Sequence, residues 1–317
     1  MKGIKISHSG DPQKQGTSWS ATLNGKREII LGITQSFEDG DGKHLGLGVG
    51  GKQIKKIPQL KYDRGAAETE WGLWAHFLWP TVVAESYGGY HMIVNAYDRA
   101  RFTFGFYQLA AHTPGDNLIL LFRELLALAT AQTYFPDLKL DKGKVTQVIG
   151  SGTLDLEKVT LVTCPNKKKE SQLLDFMKYF NPDDKAMEQT EAFRTAQLAY
   201  WLEDDPQAIA AAVRVPFNIM LRKVKAAAKA YGLTGMRPEL AIWVSDITHQ
   251  GRGGPAVIKA ALKKKTFEGQ YEALRAIGSG NSDYDGRRKT VHVCIQTLLK
   301  EKKFDGVDFG KGKLKLP

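Results

Sequence analysis

The chain has 317 residues, with 45 Lys and Arg against 34 Asp and Glu and a formal charge of +11. That length suits one large domain or two modest ones, and two cysteines exclude a disulfide framework or a cysteine-rich zinc site. The positive balance points to an anionic polymer as partner, for which nucleic acid, an acidic membrane surface and peptidoglycan all qualify.

The opening MKGIKISHSGDPQKQG lacks the apolar core of a signal peptide, and the apolar run Leu118–Leu128 is interrupted by Arg123 and Glu124. The expectation is synthesis in the cytoplasm, no integral membrane segment, and non-classical delivery (a phage holin or a contact-dependent secretion machine) for any action at the periplasm or cell wall. Residues 17–24 and 27–34 alternate apolar and polar around Asn24-Gly25, a strong hairpin signal. The glycine-rich run Leu45–Lys52 has neither the spacing of a phosphate cradle nor a helix opening after it, given Pro58. Residues 1–64 therefore read as a β-rich N-terminal segment that binds wall polymer, docks to a delivery partner or pads the remainder, with 65–317 as the main domain.

Trp71, Trp74, Ala75, Leu78, Trp79 and Val82 recur at helical spacing, and Pro80 is expected to kink or divide that helix. The helix runs out at Glu85; a glycine-bearing turn and Asp98 follow, and Arg101–Gln108 alternates like a strand. Pro114-Gly115-Asp116 opens another helix with Asp116 as N-cap. Residues 139–169 are polar and glycine-rich, a loop or weak β excursion and a candidate boundary between lobes. Helices then fit 184–202, 206–231, 238–248, 255–264, 267–277 and 284–299, and the lysine-rich tail after Lys300 is expected to fray.

Two acids delivered by a helix end and a neighbouring strand suit glycoside hydrolysis, which needs a proton donor and a water activator with proton affinities pushed apart. Glu85 lies among Phe77, Trp79, Pro80, Tyr87 and Tyr90, where partial desolvation is expected to keep it protonated. Asp98 lies between Tyr97 and Arg99 with Arg101 nearby, which favours the anion and hence a base. Thr103 shares the strand face of Arg101 and can help hold the attacking water.

The order helix–Glu85, then Asp98-Arg99-Ala100-Arg101-Phe102-Thr103-Phe104-Gly105, then Pro114-Gly115-Asp116-Asn117-Leu118, resembles the family-46 chitosanases of the lysozyme-like superfamily. Phe104-Gly105-Phe106-Tyr107-Gln108 is also similar to a strand of other lysozyme-like muramidases. The resemblance implies an α+β, mainly α, two-lobed lysozyme-like fold with a small β-hairpin region beside the cleft. It further implies Glu85 as general acid, Asp98 as general base and Thr103 as the residue positioning water in an inverting reaction, without metal or cofactor. The family's glycine and arginine after the aspartate are Arg99 and Ala100 here, with arginine returning at Arg101.

Charge separates the substrates. Chitosan is a polycation, and a chain at +11 repels it over roughly a Debye length, about 8 Å in physiological salt. Peptidoglycan carries peptide carboxylates and lies beside anionic polymers, so a muramidase is expected, phage-borne or an antibacterial effector, with a delivery or immunity protein as possible partner. A chitosanase and a non-catalytic wall- or polyanion-binding protein are the alternatives.

Tyr87, Arg99, Arg101, Gln108, His249 and Arg252 are the candidate substrate-binding residues. His249 lies in a glycine-flexed stretch, Ser245–Gly254, that reads equally as a cleft wall or as a helix cap. No His pattern has metal-ligand spacing. The basic runs Lys167–Lys169, Lys263–Lys265 and Arg287-Arg288-Lys289 are dispersed and lack interleaved aromatics, which disfavours nucleic acid; Tyr284 and Arg287 have a cleft-facing alternative.

Overall fold

The computed structural model describes residues 3–40, 42–49, 61–90, 96, 100–164 and 168–316. The fold is mixed α+β with more helix than strand. Compactness divides the chain differently from the sequence reading: residues 1–61 with 89–216 form one unit, and residues 62–88 with 217–317 form the other.

In the first unit, strands β1 (Ile4–His8), β2 (Ser18–Leu23), β3 (Arg27–Asp39) and β4 (Gly42–Gly48) form an antiparallel sheet in that order. The expected hairpin is present. Asn24 and Gly25 both take positive φ (53° and 68°) and the Lys26 amide donates to the Leu23 carbonyl, the geometry that matches strand twist. A register shift at Trp19/Ser20 sets Gly32 opposite Trp19. Gly32 has φ +145°, and a Cβ there would stand 2.5 Å from the Gly48 carbonyl oxygen, so only glycine fits.

A helix, Gln189–Asp204, packs on all four strands. Its Tyr200 hydroxyl lies 2.9 and 2.8 Å from the Ala21 and Arg27 carbonyl oxygens, and its Leu198, Trp201 and Leu202 are fully buried. Glu191 of the same helix is also wholly buried and, among the described residues, accepts a hydrogen bond from the Leu47 amide. Burial outweighs that bond and pushes its carboxyl well above the ordinary range. A carboxyl whose proton is held more tightly when folded weakens the fold as pH rises past its unfolded value. The expected result is that the native protein loses stability relative to Glu191→Gln between pH 5 and pH 9. Urea midpoints across that range check it, and a constant difference would refute it.

The stretch read as one strand over 101–108 is a miniature hairpin, Thr103–Phe104 paired with Leu109–Ala110. Positive φ at Gly105 (83°) and Gln108 (53°) folds the chain back on itself. The cap read at Asp116 falls one residue later, on Asn117, so the helix starts at Leu118 and has no side-chain cap bond; the Asp116 carboxylate accepts from the Asn117 amide instead. Its Phe122 makes edge contacts with Phe135, Phe176 and Phe180, the aromatic centre of this unit. Residues 138–155 form a three-stranded meander, followed by a hairpin of Thr160–Thr163 with Lys169–Gln172. Both lie inside the first unit and mark no boundary between the two.

In the second unit, α1 (Arg64–Trp71) is capped by Asp63, whose carboxylate accepts from the Gly65 and Ala66 amides. Gly72, at φ 53°, separates it from α2 (Trp74–Ser86). The break thus falls at the glycine that tolerates this backbone, and Pro80 sits within α2 without ending it. α2 is apolar on nearly every side and is packed by α3 (Pro238–Gln250) and α4 (Ser282–Lys300).

The tail after Lys300 does not fray. Phe309 is fully buried against Trp74 and Phe77, with ring centroids 6.1 and 5.6 Å away, and Leu314 is fully buried as well. Arg64 reinforces the tail by forking onto Glu301 at 2.7 and 2.6 Å while lying over the Trp79 ring. Leu314→Ala is expected to cost about 2–3 kcal/mol, the lower half of the usual range because a terminal turn can collapse around the gap. Chemical denaturation measures this, and a loss under about 0.5 kcal/mol would show that the tail is not part of the core.

Among the described residues no helix is long and apolar enough to cross a membrane.

Candidate active site

Glu85 occupies the last turn of α2, which stops at Tyr87 in the left-handed conformation (φ 52°) followed by Gly88. A carboxylate is unfavourable at a helix C-terminus, where the backbone carbonyls already concentrate negative potential. The site therefore needs positive charge or proton donors from elsewhere. Two other helices provide them.

α3 begins with Pro238 in its first turn and ends on Gly251 at φ 71°. Between these, Asp246 and His249 sit three residues apart and share a face. The Gly251 turn brings Arg252 back towards the helix, its amide donating to the Ile247 carbonyl at 3.3 Å. The packing there is tight, since a Cβ on Gly253 would stand 2.7 Å from Ile277 Cγ2 and 3.0 Å from Ile247 Cγ2. Arg287 comes from the second turn of α4.

These residues form one network inside the second unit. Glu85 Oε1 lies 2.8 Å from His249 Nε2 and accepts from an Arg287 NH at 2.6 Å. Arg287 also donates through Nε and its other NH to Asp246 Oδ1, at 3.0 and 2.6 Å. Arg252 donates to Asp246 Oδ2 at 2.6 Å and to Gln250 Oε1 at 2.7 Å. The side chains of Asp246 and Arg252 are fully buried and that of Arg287 is 7% exposed, whereas Glu85 keeps 19% and His249 14%. Asp246 and Arg252 form the floor, and Glu85 with His249 the accessible edge.

Burial alone would raise the Glu85 carboxyl. The His249 hydrogen bond and the Arg287 charge outweigh it and hold the group at about 2. This overturns the expectation that aromatic neighbours keep Glu85 protonated: the sequence neighbours are apolar, but the spatial neighbours are cationic or proton-bearing. Burial opposes the charge on Arg287, yet Asp246 and Glu85 raise its proton affinity. Burial lowers that of Arg252 despite Asp246.

Of the candidates read from sequence, the structure brings Glu85, His249 and Arg252 together, with Tyr87 two residues beyond Glu85 and 37% exposed. Arg252 is committed to Asp246 and Gln250 at full side-chain burial, so it positions the floor of the network and does not present itself to a ligand.

Thr103, Gln108 and Arg101 belong to the first unit. Thr103 is buried, and its hydroxyl donates to Gln108 Oε1 at 3.2 Å, while Gln108 Nε2 donates to the Gly105 carbonyl at 2.7 Å. Arg101 pairs with Asp184 at 3.0 Å and reaches the Pro182 carbonyl. Asp98 and Arg99 lie outside the described residues.

Two network members were not singled out as site residues in the sequence. Asp246 is a lone acid in the apolar run Leu240–Ile247, a signal that an inward-facing carboxylate has a buried partner. Arg287 was concealed in a basic run that reads as a solvated face. Among the described residues no cluster of three or more His, Cys, Asp or Glu could hold a metal ion.

No family model, curated protein or solved structure matches the chain.

Proposed function

We propose that the protein is a glycoside hydrolase that cleaves the N-acetylmuramic acid–N-acetylglucosamine backbone of peptidoglycan on a two-lobed lysozyme-like scaffold. It would act as a bacteriolytic phage enzyme or antibacterial effector at the periplasm or cell wall, after non-classical delivery. The observation that carries the reading is Glu85. It is a partly exposed carboxyl at a helix end, with both described polar contacts on Oε1 and a buried ionic floor beneath its partners. Such a rigid, pre-oriented carboxyl is what proton delivery to a glycosidic oxygen requires. The family resemblance implies Asp98 as water activator and Thr103 as the residue that holds the water. The charge of +11 supports peptidoglycan over the polycation chitosan.

Digestion of purified sacculi, with the soluble fragments identified by mass, tests the proposal. Fragments ending in reducing N-acetylmuramic acid are expected. Cleavage of chitosan but not of sacculi would overturn the substrate, and silence on both would overturn the reaction.

The low proton affinity of Glu85 favours a second reading, in which the network is a structural tie in a non-catalytic wall- or polyanion-binding protein. Retention on sacculi with no fragment released is its signature.

A further inference from the structure

The four-stranded sheet of the first unit ends on β1, and the backbone of that edge is open. The Asn24 amide donates to the Gly3 carbonyl at 2.9 Å and the Ser9 amide to the Ser18 carbonyl at 3.0 Å, in the register that sets Lys5 opposite Thr22 and Ser7 opposite Ser20. These residues turn their backbone groups towards β2, and in an antiparallel pair the alternate residues face the other way. The N–H and C=O groups of Ile4, Ile6 and His8 therefore point outward, and none has a backbone partner among the described residues.

A cavity of about 360 Å³ lies beside this edge. It is lined by Ile4 and Ile6 of β1 and by Gln189, Thr190, Phe193 and Arg194 of the helix Gln189–Asp204. Ile4, Ile6 and Phe193 are only half-buried, so apolar surface stands open next to unsatisfied strand backbone. An incoming strand answers both features. It satisfies the outward backbone groups and sets every second side chain over Ile4 and Ile6, at the cavity.

Charge selects the kind of strand. Residues 1–10 contain Lys2 and Lys5 and no acid, and Lys5 is exposed. The helix brings its N-terminal turn to the cavity through Gln189 and Thr190, and Glu188 at the cap position makes no side-chain bond to the first amides. Such open amides carry partial positive charge. Arg194 adds little, because Asp137 already holds it at 2.7 Å. A lysine on an edge strand deters pairing with a like strand, and a second copy brings the same charge of +11.

We propose that the β1 edge docks an extended, acidic segment of another polypeptide as an added strand, with an apolar side chain of that segment in the cavity. Of the uses read for residues 1–64, this selects docking to a partner over contact with wall polymer.

The test uses the full chain and a fluorescent peptide of three Glu-Val repeats, blocked at both ends, with binding followed by anisotropy. Saturable binding is expected, and a Lys-Val peptide of the same length should bind about 10-fold more weakly or worse. Lys5→Glu, a change at an exposed side chain, should narrow or reverse that preference. Methylating one alternate set of peptide amides should weaken binding about 10-fold or more, and methylating the other set should be tolerated, because a strand turns every second amide to its neighbour. At saturating peptide, hydrogen exchange at the Ile4, Ile6 and His8 amides should slow by about 10-fold or more. The Lys5 and Ser7 amides, already turned to β2, should change little. No binding of the Glu-Val peptide, equal binding of the Lys-Val peptide, equal losses from both methylated sets, or binding without slower exchange at residues 4, 6 and 8 overturns the proposal. Slow exchange at those residues without peptide, together with a dimer in solution, also overturns it and gives the edge to a second copy.

Discussion

Glu85→Gln is expected to lower turnover on sacculi by about 10²-fold or more, the usual consequence of removing a general acid. The amide can still accept from His249 or Arg287 through its oxygen, so the site keeps its shape and loses its titratable proton. Stability should change too, contrary to what an exposed surface glutamate would give. The drop from an ordinary 4.5 to about 2 is worth roughly 3 kcal/mol. A carboxylate with a depressed folded value contributes stability above its unfolded value and loses it as pH falls through the folded one. The stability gap between native protein and Glu85→Gln should therefore be full above about pH 4.5 and close towards pH 2. Melts at pH 7 and pH 2.5 measure the gap, and activity is assayed well below both melting points. A variant with near-native turnover would remove Glu85 from the chemistry.

Asp246→Ala is the substitution expected to damage the fold most. Its carboxylate is fully buried and holds Arg252, also fully buried, and Arg287, 7% exposed. Removing it leaves the buried Arg252 guanidinium without its carboxylate, while Arg287 keeps Glu85. Breaking a buried pair from one side costs about 3–5 kcal/mol. That corresponds to a melting shift of about 10 °C or more. Asp246→Asn, which keeps shape and hydrogen-bond acceptance but not charge, should fall between the two. Replacing Asp246 and Arg252 together with apolar residues should recover part of the loss, since the penalty comes from the uncompensated charge. An Asp246→Ala variant that melts with the native protein would show that the network does not organise α2, α3 and α4.

Periodicity carried much of the architecture. The Asn24-Gly25 hairpin, the long helix opened by Asp205-Pro206 and the run of helices from Pro238 onwards follow from local signals that tertiary packing does not override. Local signals misled where two residues competed for one role. Gly72 interrupts the helical run because it alone accepts its backbone angle, although Pro80 is the stronger breaker on paper. The alternating residues 101–108 fold back at Gly105 because a miniature hairpin buries Phe104 and Phe106 more completely than one exposed strand could. The C-terminal lysines read as a loose tail, yet Phe309 among them packs on Trp74 and Phe77, more than two hundred positions earlier, and Leu314 is fully buried.

The amino-acid order determined by itself that a carboxyl would stand at the end of an apolar helix and where most helices run. Only tertiary structure decided the state of that carboxyl, because its proton affinity depends on charges within a few ångströms, and those come from His249 and Arg287, 164 and 202 positions away. Folding likewise turned Arg252 from a candidate ligand contact into a buried support, since the Gly251 turn brings it back onto Asp246, six positions earlier, and both side chains are closed off from water.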